Sequence, residues 1–222
     1  MTALRTVAIL SGAYLIGSIS FSYLLVRWLV GRDLRTAGSG NAGATNALRI
    51  AGKKAGMIAL VCDLGKGAAA VAGARLLGAG AGLAAAAAFA VVLGHVFPLF
   101  LGGRGGKGVA ASAGAMAVLT PAALGLAALL FVVVVARTRY VSLGSLCASL
   151  TLPLWVVLCE RIGWQRSEGP WHATAAAGLA LLVFVTHRGN LRRLLSGDER
   201  RLGGSNGGST GASADGARGG VA

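Results

Sequence analysis

The segment 102–108 has a composition suited to anion binding: it reads Gly-Gly-Arg-Gly-Gly-Lys-Gly, with five glycines and two cations in seven residues. Glycine readily adopts positive φ, which lets successive backbone N–H groups turn towards one point that the two cations make positive. The pattern predicts an anion site, and a flexible basic turn is the alternative. The candidate ligands are the side chains of Arg104 and Lys107 and the N–H groups of Gly105, Gly106 and Gly108.

This segment does not match the Walker A loop of nucleotide-binding proteins. That motif needs glycine where the chain has Leu101, and Ser or Thr where it has Gly108. A short helix is expected to begin near Val109, and helix N-termini favour anions through their free N–H groups and the helix dipole. His95 precedes the segment, where it is either a hydrogen-bonded interfacial histidine or a catalytic residue.

A second candidate segment, 39–49, is rich in neutral hydrogen-bonding side chains. A loop needing only solubility would more often use Lys and Glu, whereas Ser, Thr and Asn donate to ligands and Arg binds phosphate through a planar fork. The alternative is a turn leading into the next helix, with Thr45 or Asn46 as its N-cap. The candidate ligands here are Ser39, Asn41, Thr45, Asn46 and Arg49.

Two further segments carry polar side chains beside apolar stretches. Ser142 and Ser145 are three residues apart and share a helix face, where they donate either to a ligand or to a carbonyl one turn earlier. His187 and Asn190 have the same spacing at the start of a basic segment. An amphipathic surface helix explains the basic stripe that follows, but it does not explain the His and Asn pair.

Asp63 and Lys66 lie one helical turn apart within an apolar stretch. Each would cost about 2.5–3.5 kcal/mol at the centre of a bilayer if it were alone. They are therefore expected to face the bundle interior, to pair with each other, or both. The pair is either purely structural or a brace for the polar segments.

Composition and hydropathy indicate which elements hold these residues. Of the 222 residues, 55% are hydrophobic and 13% charged, the mean hydropathy is +0.71, and the apolar residues form long blocks. The chain is therefore predicted to be an all-α, polytopic transmembrane helical bundle of about seven spans. The first block is too long for a signal peptide and lacks a convincing cleavage site. The expected spans are 3–29, 54–78, 81–101, a short one at 108–119, 121–136, 141–159 and 171–187.

The basic residues favour one orientation, because Lys and Arg near span ends resist translocation. With seven spans, sixteen of the 21 Lys and Arg residues lie on one side and four on the other, while Lys66 lies inside a span. The N-terminus is therefore expected outside, and the C-terminus and the four polar segments on the cytoplasmic side. The smaller set consists of Arg5, Arg75, Arg161 and Arg166.

The remaining composition argues against several functions. A cytoplasmic face opposite anionic lipids explains the net charge of +14, and no basic and aromatic pattern of a nucleic-acid-binding module occurs. Cys62, Cys147 and Cys159 lack metal-ligand spacing and are expected to be small hydrophobic residues. No metal or bound cofactor is expected, because the few carboxylates do not cluster in one cytoplasmic segment apart from the last helix. One domain is expected at 1–202, followed by a disordered Gly, Ser and Ala tail at 203–222.

Three motifs together resemble those of the bacterial membrane-integral acyl-phosphate:glycerol-3-phosphate acyltransferases, the PlsY family. They are Ser-Gly-Asn-x-Gly-Ala-Thr-Asn-x-x-Arg at 39–49, Gly-His-x-Phe-Pro-x-Phe followed by Gly-Gly-Lys-Gly-Val-Ala at 94–110, and His-Arg-x-Asn-x-x-Arg-Leu-x-x-Gly-x-Glu at 187–199. Asp-x-x-Lys-Gly at 63–67 is also similar, and the resemblance extends to about Arg201.

The chain departs from the family pattern at two places. Gly103 and Arg104 stand where the family usually has Phe and Lys, and Ala111 stands where Thr is common. Arg keeps the charge of Lys but replaces a point cation with a rigid fork, which alters the phosphate geometry at this position.

The resemblance implies an enzyme of the bacterial inner (plasma) membrane with its active site facing the cytoplasm. It would transfer a fatty acyl group from acyl phosphate to the 1-hydroxyl of sn-glycerol 3-phosphate, giving lysophosphatidate for phospholipid biosynthesis. A soluble acyl-phosphate-forming enzyme would hand over the donor. Acyl phosphate is already activated, so the expected mechanism is direct attack by the hydroxyl, with the leaving phosphate accepting the proton. The chain has no His-x-x-x-x-Asp, the motif of the other large class of glycerolipid acyltransferases.

The resemblance also divides the candidate residues by expected role. The set expected at the reacting group is Ser39, Lys107, Ser142, His187 and Asn190. All of these except Lys107 are expected to donate hydrogen bonds around the acyl-phosphate group. The substrate-binding set is Asn41, Thr45, Asn46, Arg49, His95, Arg104, Gly105, Gly106, Gly108 and Ser145. The supporting set is Asp63, Lys66, Arg193 and Glu199.

Two other functions fit part of the pattern. A transporter or channel for a small phosphorylated anion would also use a basic, glycine-rich vestibule. It predicts polar clusters on both faces, however, and outward connections such as 77–82 and 120–121 are short and nearly uncharged. A scaffold that binds anionic lipid would use the basic segments but would leave His187 and Asn190 without a role.

Overall fold

The computed structural model describes residues 2–203, which form nine α-helices and no β-strand. The all-α prediction is confirmed, and the predicted tail lies outside the described residues apart from Gly203. The helices are α1 (Ala3–Ser18), α2 (Phe21–Val30), α3 (Ala44–Leu76), α4 (Ala81–Val96), α5 (Val109–Leu119), α6 (Pro121–Thr138), α7 (Val141–Arg161), α8 (Trp171–Thr186) and α9 (Arg188–Ser196).

Five stretches of the described chain are long and apolar enough to cross a membrane. Two of them combine elements: α1 with α2, and α4 with the 3₁₀ turn that follows it. The apolar helices α5 and α8 are shorter, with 11 and 16 residues. A bilayer core of about 30 Å needs about 20 helical residues, so these two would need tilt or local thinning to span it. The count of seven spans and the orientation of the termini stay predictions.

The first expected span, 3–29, is not continuous. The helix breaks at Ile19 and Ser20, whose φ/ψ values of −73°/108° and −91°/88° are not helical. Because the break removes helical hydrogen bonds within an apolar region, the freed groups need other partners. The Ile19 carbonyl accepts a hydrogen bond of 2.8 Å from Lys66 Nζ, which supplies one such partner.

The second expected span, 54–78, begins ten residues earlier than predicted. Helix α3 starts at Ala44 and is interrupted at Gly52, where φ is +84°. Glycine tolerates this left-handed value, so the segment before it can fold back as a separate short helix. The prediction that Thr45 or Asn46 caps this helix is wrong, because its N-cap residue is Gly43.

Small residues bring the central helices together. Gly17 of α1 and Gly94 of α4 each lie against the backbone of the other helix, where a Cβ atom would overlap a carbonyl oxygen. Gly67 of α3 and Gly114 of α5 form the same reciprocal contact. Close approach through small residues is typical of membrane helices, where packing rather than hydrophobic burial drives association. These contacts hold α1 against α4 and α3 against α5.

Candidate active site

A cavity of about 390 Å³ lies between α3, α5, α6, α7 and the end of α8. Its lining is mostly apolar in the interior, and polar side chains converge at the end where α7 begins and α8 ends. Arg104, Gly105, Gly106, Lys66 and Arg193 are not among the lining residues. The candidate residues that line it are Ser39, Asn41, Thr45, Asn46, Arg49, Asp63, His95, Lys107, Gly108, Ser142, Ser145, His187, Asn190 and Glu199.

A hydrogen-bonded network centred on Glu199 joins three of the polar segments. Lys107 Nζ donates to Asn190 Oδ1, and Asn190 Nδ2 donates to Glu199 Oε1. Ser142 Oγ donates to the same carboxylate oxygen at 2.7 Å, and Arg193 Nε donates to Oε2 at 2.8 Å. Glu199 therefore fixes Asn190, which in turn orients the Lys107 ammonium group at the polar end of the cavity.

The side chain of Lys107 is held by Asn190, and its backbone is held by the end of α8. Thr186 Oγ1 donates to the Lys107 carbonyl at 3.0 Å. His187 follows at the joint between α8 and α9, and its Nδ1 lies 2.8 Å from the Val183 carbonyl. A ring nitrogen facing a carbonyl must carry the proton, so Nε2 of the neutral ring is an acceptor.

Burial shifts the pKa values of the ionisable groups at this end. Desolvation lowers the pKa of Lys107 to about 8, although Glu199 opposes the shift. Desolvation, with the nearby Lys107 charge, lowers the pKa of His187 to about 4, so its imidazole is neutral at pH 7. Burial alone would raise the pKa of Glu199, but hydrogen bonds from Ser142, Asn190 and Arg193 outweigh it and hold that pKa below its usual value.

The glycine segment connects helices instead of presenting all its N–H groups to the cavity. The Gly105 N–H donates to the Val96 carbonyl at 3.1 Å, and the Gly106 N–H donates to the His95 carbonyl at 3.0 Å. These two N–H groups are occupied, so in this structure they do not serve an anion as predicted. Arg104 is exposed and lies outside the cavity lining. The N-terminus of α5 fits the prediction better, since its N-cap residue Gly108 lines the cavity.

Asn46 supports the loop before α3. Its Oδ1 accepts from the Ser39 N–H at 2.9 Å, and its Nδ2 donates to the carbonyls of Leu34, Ala37 and Asn41, each at 3.0 Å. Both amide hydrogens are thereby used and Oδ1 keeps one acceptor site, so Asn46 positions Ser39 and Asn41 and has no donor left for a ligand. Ser145 is occupied in a similar way, because its Oγ donates to the carbonyl one turn earlier at 2.9 Å.

Asp63 and Lys66 form the buried pair that the sequence predicts. Lys66 Nζ lies 2.8 Å from Asp63 Oδ1, and each side chain is 2% exposed. Asp63 also lines the cavity, so the pair sits beside the site.

The sequence patterns miss four polar residues of the site. Arg200, Ser112 and Ser149 line the cavity, and Thr186 holds the Lys107 backbone. Arg200 follows Glu199 directly and Thr186 precedes His187, so proximity to the third motif was the available signal. Ser112 lies one turn into α5 and carried no such signal. Within residues 2–203, no group of three or more His, Cys, Asp or Glu side chains is placed to hold a metal ion.

Comparison with known proteins gives one consistent result. The family model described as glycerol-3-phosphate acyltransferase matches residues 7–197. A glycerol-3-phosphate acyltransferase of Myxococcus xanthus is 46% identical over 202 residues, 89% of this chain and 100% of the relative. One of Pseudomonas aeruginosa (strain LESB58) is 45% identical over 191 residues, 86% and 96% of the two chains.

Two solved structures show the same architecture. Both are of PlsY (YgiH), an integral membrane glycerol 3-phosphate acyltransferase, in its glycerol 3-phosphate and lysophosphatidic acid forms. The first is 34% identical to this chain and covers 89% of it and 96% of its own length, with a TM-score of 0.79. The second is 31% identical, with coverage of 89% and 95% and the same TM-score. The chain belongs to the glycerol-3-phosphate acyltransferase family.

Proposed function

We propose that this chain transfers a fatty acyl group from acyl phosphate to the 1-hydroxyl of sn-glycerol 3-phosphate, giving lysophosphatidate and phosphate. Family membership supports the acyltransferase activity, and the solved relatives were captured with glycerol 3-phosphate and lysophosphatidic acid. The observation that carries the proposal is the Lys107–Asn190–Glu199 network at the polar end of a largely apolar cavity. One end suits phosphate groups and the other suits an acyl chain.

The cations at the polar end suit two substrates that each carry a phosphate. Arg49, Lys107 and Arg200 line the cavity, and Glu199 is the only carboxylate at that end of the described lining. Arg193 already neutralises Glu199 at 2.8 Å. The excess positive charge would balance incoming phosphates, with Arg49 supplying a bidentate fork and Lys107 a point charge.

The reaction needs no acyl-enzyme intermediate. The 1-hydroxyl oxygen forms a bond to the acyl carbonyl carbon, the bond from that carbon to the phosphate oxygen breaks, and the leaving phosphate takes the hydroxyl proton. We assign His187 Nε2 to accept a hydrogen bond from the attacking hydroxyl, since its Nδ1 is committed to Val183. The expected role of His187 as a donor changes accordingly. Ser39 and the first N–H groups of α5 would stabilise the developing oxyanion.

Localisation and supply of the donor belong to the same proposal. The sixteen-to-four distribution of basic residues supports a cytoplasm-facing site in a bacterial plasma membrane. A soluble enzyme that forms acyl phosphate would then reach the polar end directly, while the acyl chain enters between helices. Transport of a phosphorylated anion gains no support, because the matched family is one of acyltransferases.

The test is direct. Detergent-purified protein is mixed with acyl phosphate and radiolabelled glycerol 3-phosphate, and the lipid product is separated and counted. We expect labelled lysophosphatidate with acyl phosphate and none with acyl-CoA. Lack of product, alongside an active relative such as the Pseudomonas aeruginosa enzyme as control, would refute the proposal. Product formed only with acyl-CoA would refute the assigned donor alone.

A further inference from the structure

Asp63, Lys66 and His95 form a buried cluster at membrane depth, which we call the Asp63 cluster. Besides its 2.8 Å contact with Lys66, Asp63 Oδ1 lies 3.5 Å from His95 Nδ1. Ser22 Oγ of α2 donates to the other carboxylate oxygen at 3.2 Å. All four side chains are buried. Ionisable groups inside a membrane protein are costly, and they persist where they serve a partner or a site.

Lys66 links Asp63 to the break in the first span. Its Nζ donates to the Ile19 carbonyl at 2.8 Å, between α1 and α2. This contact satisfies a carbonyl freed by the break while the same ammonium group neutralises Asp63. Lys66 does not line the cavity, so its contacts are with the frame of the bundle.

His95 links Asp63 to the polar end of the cavity. The His95 carbonyl accepts from the Gly106 N–H at 3.0 Å. Its ring lies so close to Gly106 that a Cβ atom there would overlap Nε2. Lys107 is the next residue in the chain. Asp63 Oδ1 forms no hydrogen bond with Nδ1 but packs against the ring, and the ring packs against the turn that carries Lys107.

We propose that Asp63 is a positioning residue for Lys107: it orients the His95 ring, which supports Gly106 and holds the Lys107 amine at the polar end. Lys66 has the separate role of neutralising Asp63 and completing the helix break. The inference rests on the proposed function, in which Lys107 binds a substrate phosphate.

Removing both charges of the Asp63–Lys66 pair distinguishes the effect of charge pairing on stability from the effect of Asp63 on the position of Lys107. Asp63→Asn leaves Lys66 unpaired and Lys66→Met leaves Asp63 unpaired, so each single variant should lose thermal stability. The double variant Asp63→Asn/Lys66→Met leaves neither charge unpaired and should regain part of that stability, although the Ile19 carbonyl still lacks its hydrogen bond from Lys66. If Asp63 positions Lys107, kcat/KM of the double variant stays about tenfold or more below wild type, because a displacement of about 1 Å at the reacting groups can cost about 10²-fold. Recovery of wild-type kcat/KM would overturn the inference.

Coupling to Lys107 is the second readout. If Asp63 acts through Lys107, adding Asp63→Asn/Lys66→Met to Lys107→Ala should lower kcat/KM by less than about twofold more. Lys107→Ala should raise the KM of one of the two substrates. The double variant Asp63→Asn/Lys66→Met should raise the KM of that same substrate. Fully multiplicative losses, or equal increases in both KM values, would indicate general distortion and overturn the proposal.

Two further variants keep the test decisive. Ser22→Ala removes only the contact to the other Asp63 oxygen, so its kcat/KM should stay within about twofold of wild type. His95→Asn removes the ring from Gly106, so it should reproduce the loss even if the charge variants do not fold. Wild-type activity of His95→Asn would overturn the inference. An inactive wild type, in contrast, would refute the proposed function itself.

Discussion

The two ends of the bundle contain similar residue types but pair their charges differently. At the end away from the cavity's polar residues, Arg75 pairs with Glu168, and His172 Nδ1 lies 3.2 Å from Glu160 Oε1. We call these four residues the outer cluster. Its charges are satisfied within the cluster, and none of its members lines the cavity.

At the cavity end, the cations exceed the carboxylates that could neutralise them. Lys107 contacts an amide oxygen of Asn190, and the one carboxylate of the network, Glu199, is paired with Arg193. Neither Arg49 nor Lys107 forms an ion pair with a described residue. Cations held by neutral partners at a cavity are prepared for an anion, whereas cations already paired are not. The difference in pairing, more than the number of charges, identifies the site.

The largest expected effect comes from breaking the network at the cavity end. Lys107→Ala removes the cation that we propose binds a substrate phosphate, and Asn190→Ala removes the side chain that orients this cation. Loss of one positioned electrostatic group costs about 10²-fold or more in turnover. Steady-state assays on purified variants measure this loss of turnover. A melting temperature equal to that of the wild type shows that each variant is folded. Wild-type rates in both variants would show that the network is not part of the active site.

The apolar part of the cavity should determine which acyl chains are accepted. Ala148 lines the cavity on α7, six residues beyond Ser142, or about 9 Å along the helix. Ala148→Leu would obstruct long chains, so the preference for long over short acyl phosphates should fall about tenfold, within the range for poorly accommodated methylene groups. Leu150→Ala, at an exposed position of the same helix outside the lining, is the control. A uniform loss for all chain lengths would contradict this path.

The pH dependence should follow Lys107. Its pKa, lowered by burial to about 8, means that the ammonium form predominates at pH 7 and is lost as the pH rises through 8. If this cation binds phosphate, kcat/KM should fall by about tenfold between pH 7 and pH 9, because kcat/KM reports groups of the free enzyme. A Lys107→Arg variant that remains active should lose this dependence, since Arg stays protonated. An unchanged alkaline limb in that variant would assign the titration to another group.

The sequence predicts well the features that depend on residue type and spacing. Long apolar blocks predict the helices, and the i, i+3 spacing of Asp63 and Lys66 predicts their pairing. The distribution of basic residues predicts that Lys107, Ser142 and Asn190 lie on the same side of the membrane. The three side chains lie in one hydrogen-bonded network. These predictions hold because hydropathy and the cost of unpaired charge in a membrane act locally.

Features that depend on three-dimensional packing were not predicted. The break at Ile19 and Ser20 is stabilised by Lys66, 47 residues away in sequence. The early start of α3 depends on a positive φ at Gly52, one of many glycines in the chain. The occupied N–H groups of Gly105 and Gly106 depend on the end of α4. At Ile19, Gly105 and Gly106 a hydrogen bond to another segment overrides the local pattern, and at Gly52 a backbone conformation suited to glycine does so.

The smallest expected effect comes from the outer cluster, at the end of the bundle away from the site. The side chains of Arg75 and Glu168 are 30% and 39% exposed, and an ion pair at such a position contributes about 0–1 kcal/mol. The double variant Arg75→Gln/Glu168→Gln should therefore lower the melting temperature slightly and leave kcat/KM within about twofold of wild type. Thermal unfolding and the acyl transfer assay, both on one preparation, measure these quantities. A tenfold loss of kcat/KM without loss of stability would show that the outer cluster is coupled to the site across the bundle. The outer cluster would then contribute to catalysis as well as to stability.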